Sequence, residues 1–244
     1  MKALKGVLSQ LSFFTIIPST NASLEDIATY SFISPIFVGL VTGVIDFAAY
    51  FSLFHLLSYS SRFGIIITVE VIRGFNHLDG LLDFGDAVMI KGDYEKRLKA
   101  LKDVAVGSGG IGLAIVYFSL FLISLCNFPS PSLKTLLILI SAEVLSRDLG
   151  ILILSLLKPM ESSYLGKLFH SKLNKRKFII LIEALPFFVF SPLSVVFFLI
   201  LFVFFYKIGD TVLRGSSGDL IGAIITLSFP LFLLIERLFS FPIL

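Results

Sequence analysis

The run "LSVVFFLILFVFF" (residues 193–205) holds one hydroxyl and otherwise only apolar side chains, so no face of it is polar. A helix of a soluble domain carries one apolar stripe. A helix apolar all round is buried on every side or sits in lipid. Runs of this kind recur along the chain, which is 56% hydrophobic and only 15% charged, where soluble proteins are about 25% charged. In hydrocarbon the backbone must satisfy its own hydrogen bonds, so such runs imply helices. A membrane barrel would show short alternating segments instead. The expectation is an all-α, polytopic membrane bundle forming a single domain over residues 1–244.

Apolar segments fall at 31–54, 63–85, 109–126, 133–157, 177–190, 193–206 and 219–238, giving six to seven spans at about 20 residues each. The fifth and sixth are short and contain or adjoin Pro186 and Pro192, so they form either a tight hairpin or one broken helix. The loops 86–107 and 158–177 carry five and six Lys/Arg, whereas 127–132 carries none. By the positive-inside rule the basic loops are cytoplasmic. A hairpin then brings Lys207 and Arg214 inside as well, placing fifteen of the twenty Lys/Arg there. The expected location is the cell membrane, with the lipid bilayer as partner. A net charge of +3 offers nothing for nucleic acid, and Cys126 alone excludes an intrachain disulfide. The first residues, with Lys2 and Lys5 before an apolar stretch, look superficially like a signal peptide. Ser9, Gln10 and Ser12 interrupt that stretch and no A-x-A site follows.

Against this background "FNHLDGLLDFGDAV" (75–88) is anomalous. Three aspartates, an asparagine and a histidine lie within eleven residues. Buried carboxylates are costly and repel one another. On a continuous helix Asp79, Asp83 and Asp86 share one face within about 60°, joined by Asn76. At the inward end of the second segment they would be reachable by water and ions. Read blandly they are a solvated interfacial edge. Read functionally they are an oxygen-rich site for Mg2+, which prefers carboxylates, keeps several waters and is shared with substrate phosphates. His77 projects about 160° from Asp79 and aligns with Glu70, which suggests a buried His–Glu pair. A kink at Gly74 or Gly80 would instead turn it into the site.

Glu143, Arg147 and Asp148 lie far from the ends of the fourth segment. Glu143 and Arg147 are four apart and can pair, either locking the bundle or leaving Arg147 to clamp phosphate. Two glycine-rich stretches, "LKDVAVGSGGIG" (101–112) and "RGSSGDLIGA" (214–223), sit at the acidic end. Each is either a set of packing glycines or a loop whose N–H groups approach phosphate. Asp219 could add a metal ligand. Glu183 has no assigned role.

These motifs resemble the cobalamin synthase family, the adenosylcobinamide-GDP ribazoletransferases. "HLDGLLDFGDA" looks like the family's H-x-D-G-x-x-D-x-x-D-G signature, and "LSFFTIIP" (11–18) like its N-terminal F-x-T-x-[IL]-P element. "LKDVAVGSGGIGLA" stands where the family has K/R-D-S-x-x-G-x-x-G. Ser146 and Arg147 match a Ser/Gly-Arg pair, and "RGSSGDLIGA" resembles G-G-x-T-G-D-x-x-G-A. Departures fall at Ala87, Val104, Ala105, Arg214, Ser217, Thr226 and Phe229.

The resemblance implies attack by the ribose hydroxyl of α-ribazole, or of α-ribazole phosphate, on adenosylcobinamide-GDP, with loss of GMP. It implies Mg2+ as cofactor, a corrinoid nucleotide and α-ribazole as substrates, and Asp79, Asp83, Asp86 and Asp219 as metal ligands. His77 is implied as base or orienter. Asn76, Lys102, Asp103, Ser146, Arg147, Arg214 and Gly218 are implied as substrate contacts. Oligomeric state is left open, a homo-oligomer included. The competing readings are a membrane prenyltransferase, a CDP-alcohol phosphotransferase and a transporter. Only one D-x-x-x-D element is present, the D-G-x-x-A-R run is absent, and the polar residues gather at one face rather than at mid-membrane.

Overall fold

The computed structural model describes residues 2–239, which form twelve α-helices, with no β-strand among the described residues. In chain order they are α1 (Lys2–Phe14), α2 (Leu24–Tyr30), α3 (Ser34–Leu57), α4 (Gly64–Ile72), α5 (Asn76–Met89) and α6 (Tyr94–Leu101). There follow α7 (Ser108–Leu125), α8 (Leu133–Leu156), α9 (Tyr164–Leu173), α10 (Lys177–Phe190), α11 (Leu193–Thr211) and α12 (Gly218–Phe239). Four segments are long and apolar enough to cross a membrane: Leu24–Ile72, Ser108–Leu125, Leu193–Thr211 and Gly218–Phe239. The helix α8 is long enough at 24 residues but carries three charges in its middle, and α10 has only 14 residues. The 177–206 region is a hairpin: α10 and α11 are separate helices that turn at Ser191–Pro192.

The two central helices are α8, buried at every position from Ile138 to Ser155, and α12, buried from Leu220 to Pro230. Around them pack α3, α5, α7, α10 and α11. The outer helices show apolar side chains outward, among them Phe178, Val189 and Val203, as expected where the surrounding solvent is lipid. Small residues set the closest crossings. Gly39 and Gly43 form a G-x-x-x-G on α3, and a Cβ at either would lie 2.7 Å from Val144 or Ile140 of α8. Between apolar helices in lipid, such close backbone packing supplies much of the association.

The second apolar segment does not continue as one helix. The helix α4 ends at Ile72, and Gly74 and Phe75 take left-handed φ angles of 63° and 58° before α5 begins. For a bulky residue such as Phe75 that conformation costs roughly 1–2 kcal/mol, so the packing around it must fix the bend. At Gly74 a Cβ would come within 2.7 Å of Ile16, and the Ile16 amide donates to the Ile72 carbonyl at 2.9 Å. The N-terminal segment therefore holds the break in place. This bend releases α5 as an amphipathic helix at one end of the bundle, outside the four apolar segments.

Candidate active site

Two glycines bring α5 and α12 together, antiparallel, at the acidic end. A Cβ on Gly80 would lie 3.0 Å from both the Cα and the carbonyl oxygen of Asp219, and one on Gly222 would lie 3.2 Å from the His77 carbonyl oxygen. The first turn of α12 is thus laid on the second turn of α5. Ser217 caps it, accepting from the Leu220 amide at 3.2 Å. A cleft of about 270 Å³ opens beside this crossing. Its polar wall is made by Asn76, His77, Gly218 and Asp219, and its apolar wall by residues of α1, α8 and α9. Of the two alternatives for His77 the kink is the one realised: the bend at Gly74–Phe75 turns His77 into this cleft, and no His77–Glu70 pair forms. Glu70 instead accepts the Tyr117 hydroxyl, and His77 Nδ1 is buried with no partner.

Asp79, Asp83 and Asp86 lie on α5 as a continuous helix, Asp79 exposed and the other two half-buried. Burial, and then the carboxylates of Asp79, Asp219 and Asp86, push the Asp83 carboxyl up to about 6. The four acids therefore share one field, and no salt bridge to Lys or Arg compensates them among the described residues. No three His, Cys, Asp or Glu side chains among the described residues are grouped tightly enough to cage an ion by themselves. Mg2+ does not require that: one or two carboxylates, waters and substrate phosphates complete its shell. An uncompensated acidic patch fits such an ion. His77 is held well below its ordinary value by burial, with Arg73 and Arg147 behind it, so its imidazole is neutral.

Asp86 does something different from its helical neighbours. Its two oxygens accept from the Gly107 amide at 2.7 Å and the Gly110 amide at 2.9 Å, capping the N-terminus of α7. The glycines of "GSGG" serve that contact. A Cβ on Gly109 would lie 2.7 Å from the Gly85 carbonyl oxygen, and one on Gly110 would lie 2.7 Å from that of Leu82. Two of the amides that a phosphate-binding loop would offer are therefore already occupied, and of the two alternatives the stretch is the packing element, between α5 and α7.

The remaining expected contacts separate. Lys102 and Asp103 are exposed beyond α6, with Asp103 lining a second, more polar cleft with Asp86, Lys91 and Gly107. Arg214 is exposed in the loop before α12, its guanidinium 4.6 Å from the centre of the Tyr94 ring. Ser146 and Arg147 line neither cleft; both are buried in the middle of α8. Ser146 bonds back to the Glu143 carbonyl at 3.2 Å. Arg147 pairs with Glu143, which also accepts from Arg73 at 2.8 Å and Thr42 at 2.8 Å. The Arg73 guanidinium lies 4.7 Å above the Phe229 ring.

Sequence reasoning did not single out Arg73 or Asp46, both fully buried. A charge inside an apolar segment was the available signal for each. It also missed the aromatic residues of the cleft, although two of them, Phe13 and Phe14, lie in "LSFFTIIP".

Fold and site together define a helical membrane protein with an acid-edged cleft at one end of its bundle. The chain belongs to the cobalamin-5-phosphate synthase family, whose model matches residues 6–236. It is 50% identical to the adenosylcobinamide-GDP ribazoletransferase of Saccharolobus solfataricus, over 96% of this chain and 92% of that one. It is 47% identical to the one from Sulfolobus acidocaldarius, over 97% and 93%. The Pyrobaculum islandicum protein of the same name is 31% identical over 96% and 94%. No solved structure matches the chain.

Proposed function

We propose that this protein is an adenosylcobinamide-GDP ribazoletransferase, joining adenosylcobinamide-GDP to α-ribazole or its phosphate with release of GMP. The observation that carries this is the laying of Asp219 on Gly80, which brings Asn76 and His77 of one motif and Gly218 and Asp219 of another into one cleft, with Asp79 and Asp83 on the same helix as Gly80. One or two carboxylates from among Asp79, Asp83 and Asp219 would hold Mg2+, with water and substrate phosphate completing its shell, and the ion would neutralise charge on the diphosphate. Asp86 keeps α5 in register with α7. In the cleft, neutral His77 orients the acceptor's ribose hydroxyl, which loses its proton to water as its oxygen attacks the cobinamide-bound phosphorus. The phosphoanhydride bond to GMP breaks and GMP leaves with that electron pair. Such a transfer asks the protein mainly for positioning and for charge placed ahead of the reaction. The acidic end faces the cytoplasm of the cell membrane, because the basic loops beside it lie there.

The test is direct. Purified protein in liposomes should release GMP from adenosylcobinamide-GDP only with α-ribazole, or its phosphate, and a divalent ion present. Failure of the folded protein to release GMP with any of several divalent ions would defeat the assignment.

A further inference from the structure

The cleft has two chemically distinct walls. Opposite Asn76, His77 and Asp219 stand Phe13, Phe14, Phe169, Ile151, Leu154 and Leu165. Phe13 and Phe169 stack at 5.3 Å, and the Phe14 ring lies parallel to the His77 ring within 8°. An apolar, partly aromatic wall on one side and a few placed polar groups on the other are how small-molecule sites bind and orient a ligand. At about 270 Å³ the cleft is below the usual ligand-pocket range of roughly 300–1,000 Å³. It admits a bicyclic base with its sugar, and a corrin macrocycle must remain outside.

Two planar bases take part in the proposed reaction, and the apolar wall distinguishes them. Guanine carries an amide N–H, an exocyclic amine and a carbonyl, and each would be left unpaired against Phe169, Ile151 and Leu154. Leaving such groups buried and unpaired costs far more than a missing apolar contact. The dimethylbenzimidazole of α-ribazole carries only methyl groups at that edge. We infer that this cleft is the acceptor subsite: the benzimidazole lies on the Phe13–Phe14–Phe169 wall, and its ribose faces His77 and Asp219. The inference rests on the ribazoletransferase reading and adds which substrate the cleft takes. The guanine nucleotide then approaches from outside the cleft, along the exposed acidic face of α5.

The test is equilibrium dialysis with the full-length protein in detergent, using α-ribazole and adenosylcobinamide-GDP as separate probes. Phe169→Ala should weaken α-ribazole by roughly 5- to 150-fold, the loss expected for one base–aromatic stack, and leave adenosylcobinamide-GDP within about twofold. Leu165→Asp, at a rim position 40% exposed and so tolerant of a charge, decides the matter if Phe169→Ala misfolds. It should likewise weaken only α-ribazole, and guanosine should fail to compete with α-ribazole in the unaltered protein. Selective weakening of adenosylcobinamide-GDP, unchanged α-ribazole binding in a folded variant, or effective competition by guanosine would overturn the inference. If the unaltered protein still releases GMP in those cases, the subsite alone is wrong. If it releases none with both substrates present, the underlying reading fails.

Discussion

Gly80 and Asp219 meet backbone to backbone, so close that a Cβ on the glycine would sit 3.0 Å from the aspartate's Cα. They are far apart in sequence, and their contact decides whether the two acidic motifs form one site. Gly80→Val should force α5 and α12 apart, cost about 1–3 kcal/mol through overpacking, and reduce GMP release by at least about tenfold, since small misplacements in a site cost that much or more. Gly112→Val is the control, because a Cβ there meets nothing within 4 Å. Thermal midpoint and GMP release, measured on both variants, check it. A fully active Gly80→Val protein would show that the crossing does not build the site.

Asp83 gives the acidic face a pH signature. Its carboxyl is raised from the ordinary 3.8 to about 6, first by burial and then by Asp79, Asp219 and Asp86. The folded protein thus holds this proton more tightly than the unfolded chain, and the associated stability is fully present below 3.8 and lost as pH rises through about 6. A divalent cation offsets the same repulsion. Magnesium should therefore raise the thermal midpoint above about pH 7 and have little effect below about pH 5, where protons occupy the site. Asp83→Asn should remove most of that difference and abolish GMP release while the protein stays folded. An equal magnesium effect at both pH values would separate the ion from this carboxylate.

Asp86 looks like its neighbours in sequence and is not like them in structure. Its carboxylate ties α5 to the start of α7 through the amides of Gly107 and Gly110. Hydrogen bonds to a charged group contribute about 1.5–3 kcal/mol, so Asp86→Ala should lower stability by that order and activity along with it. Asp86→Asn, which keeps one acceptor oxygen, should recover part of both. An Asp86→Ala protein with unchanged thermal midpoint and no activity would make Asp86 a ligand and not a cap.

The membrane class, the α10–α11 hairpin and the helical face of Asp79, Asp83 and Asp86 were all legible, because each follows from apolar run length, charge asymmetry or helical period. The side on which His77 lies was not, since periodicity assumes a straight helix and two left-handed residues at Gly74 and Phe75 break it. The role of "GSGG" was not legible either. Glycines that cradle phosphate and glycines that pack against Asp86 and Gly85 have the same composition, and only the partner at the crossing separates them. Arg147 was ambiguous for a related reason: pairing with Glu143 was predictable from spacing, but the second arginine on that carboxylate comes from Arg73, seventy residues earlier.

That shared carboxylate makes the last prediction. Glu143 sits between Arg147, Arg73 and Thr42, with both arginines buried to 1% exposure or less. Removing one member of such a group leaves a charge uncompensated in the apolar interior, a loss of about 3–5 kcal/mol. Glu143→Leu leaves two buried cations facing each other and should prevent accumulation of folded protein. Arg147→Met should be milder, because Arg73 still neutralises Glu143, and it should lower the thermal midpoint without changing the affinity for adenosylcobinamide-GDP by more than about twofold. Dialysis on folded Arg147→Met protein separates the two roles. Selective loss of the nucleotide substrate at unchanged stability would put Arg147 on the phosphate after all, and would require the cleft to open deeper into the bundle than His77.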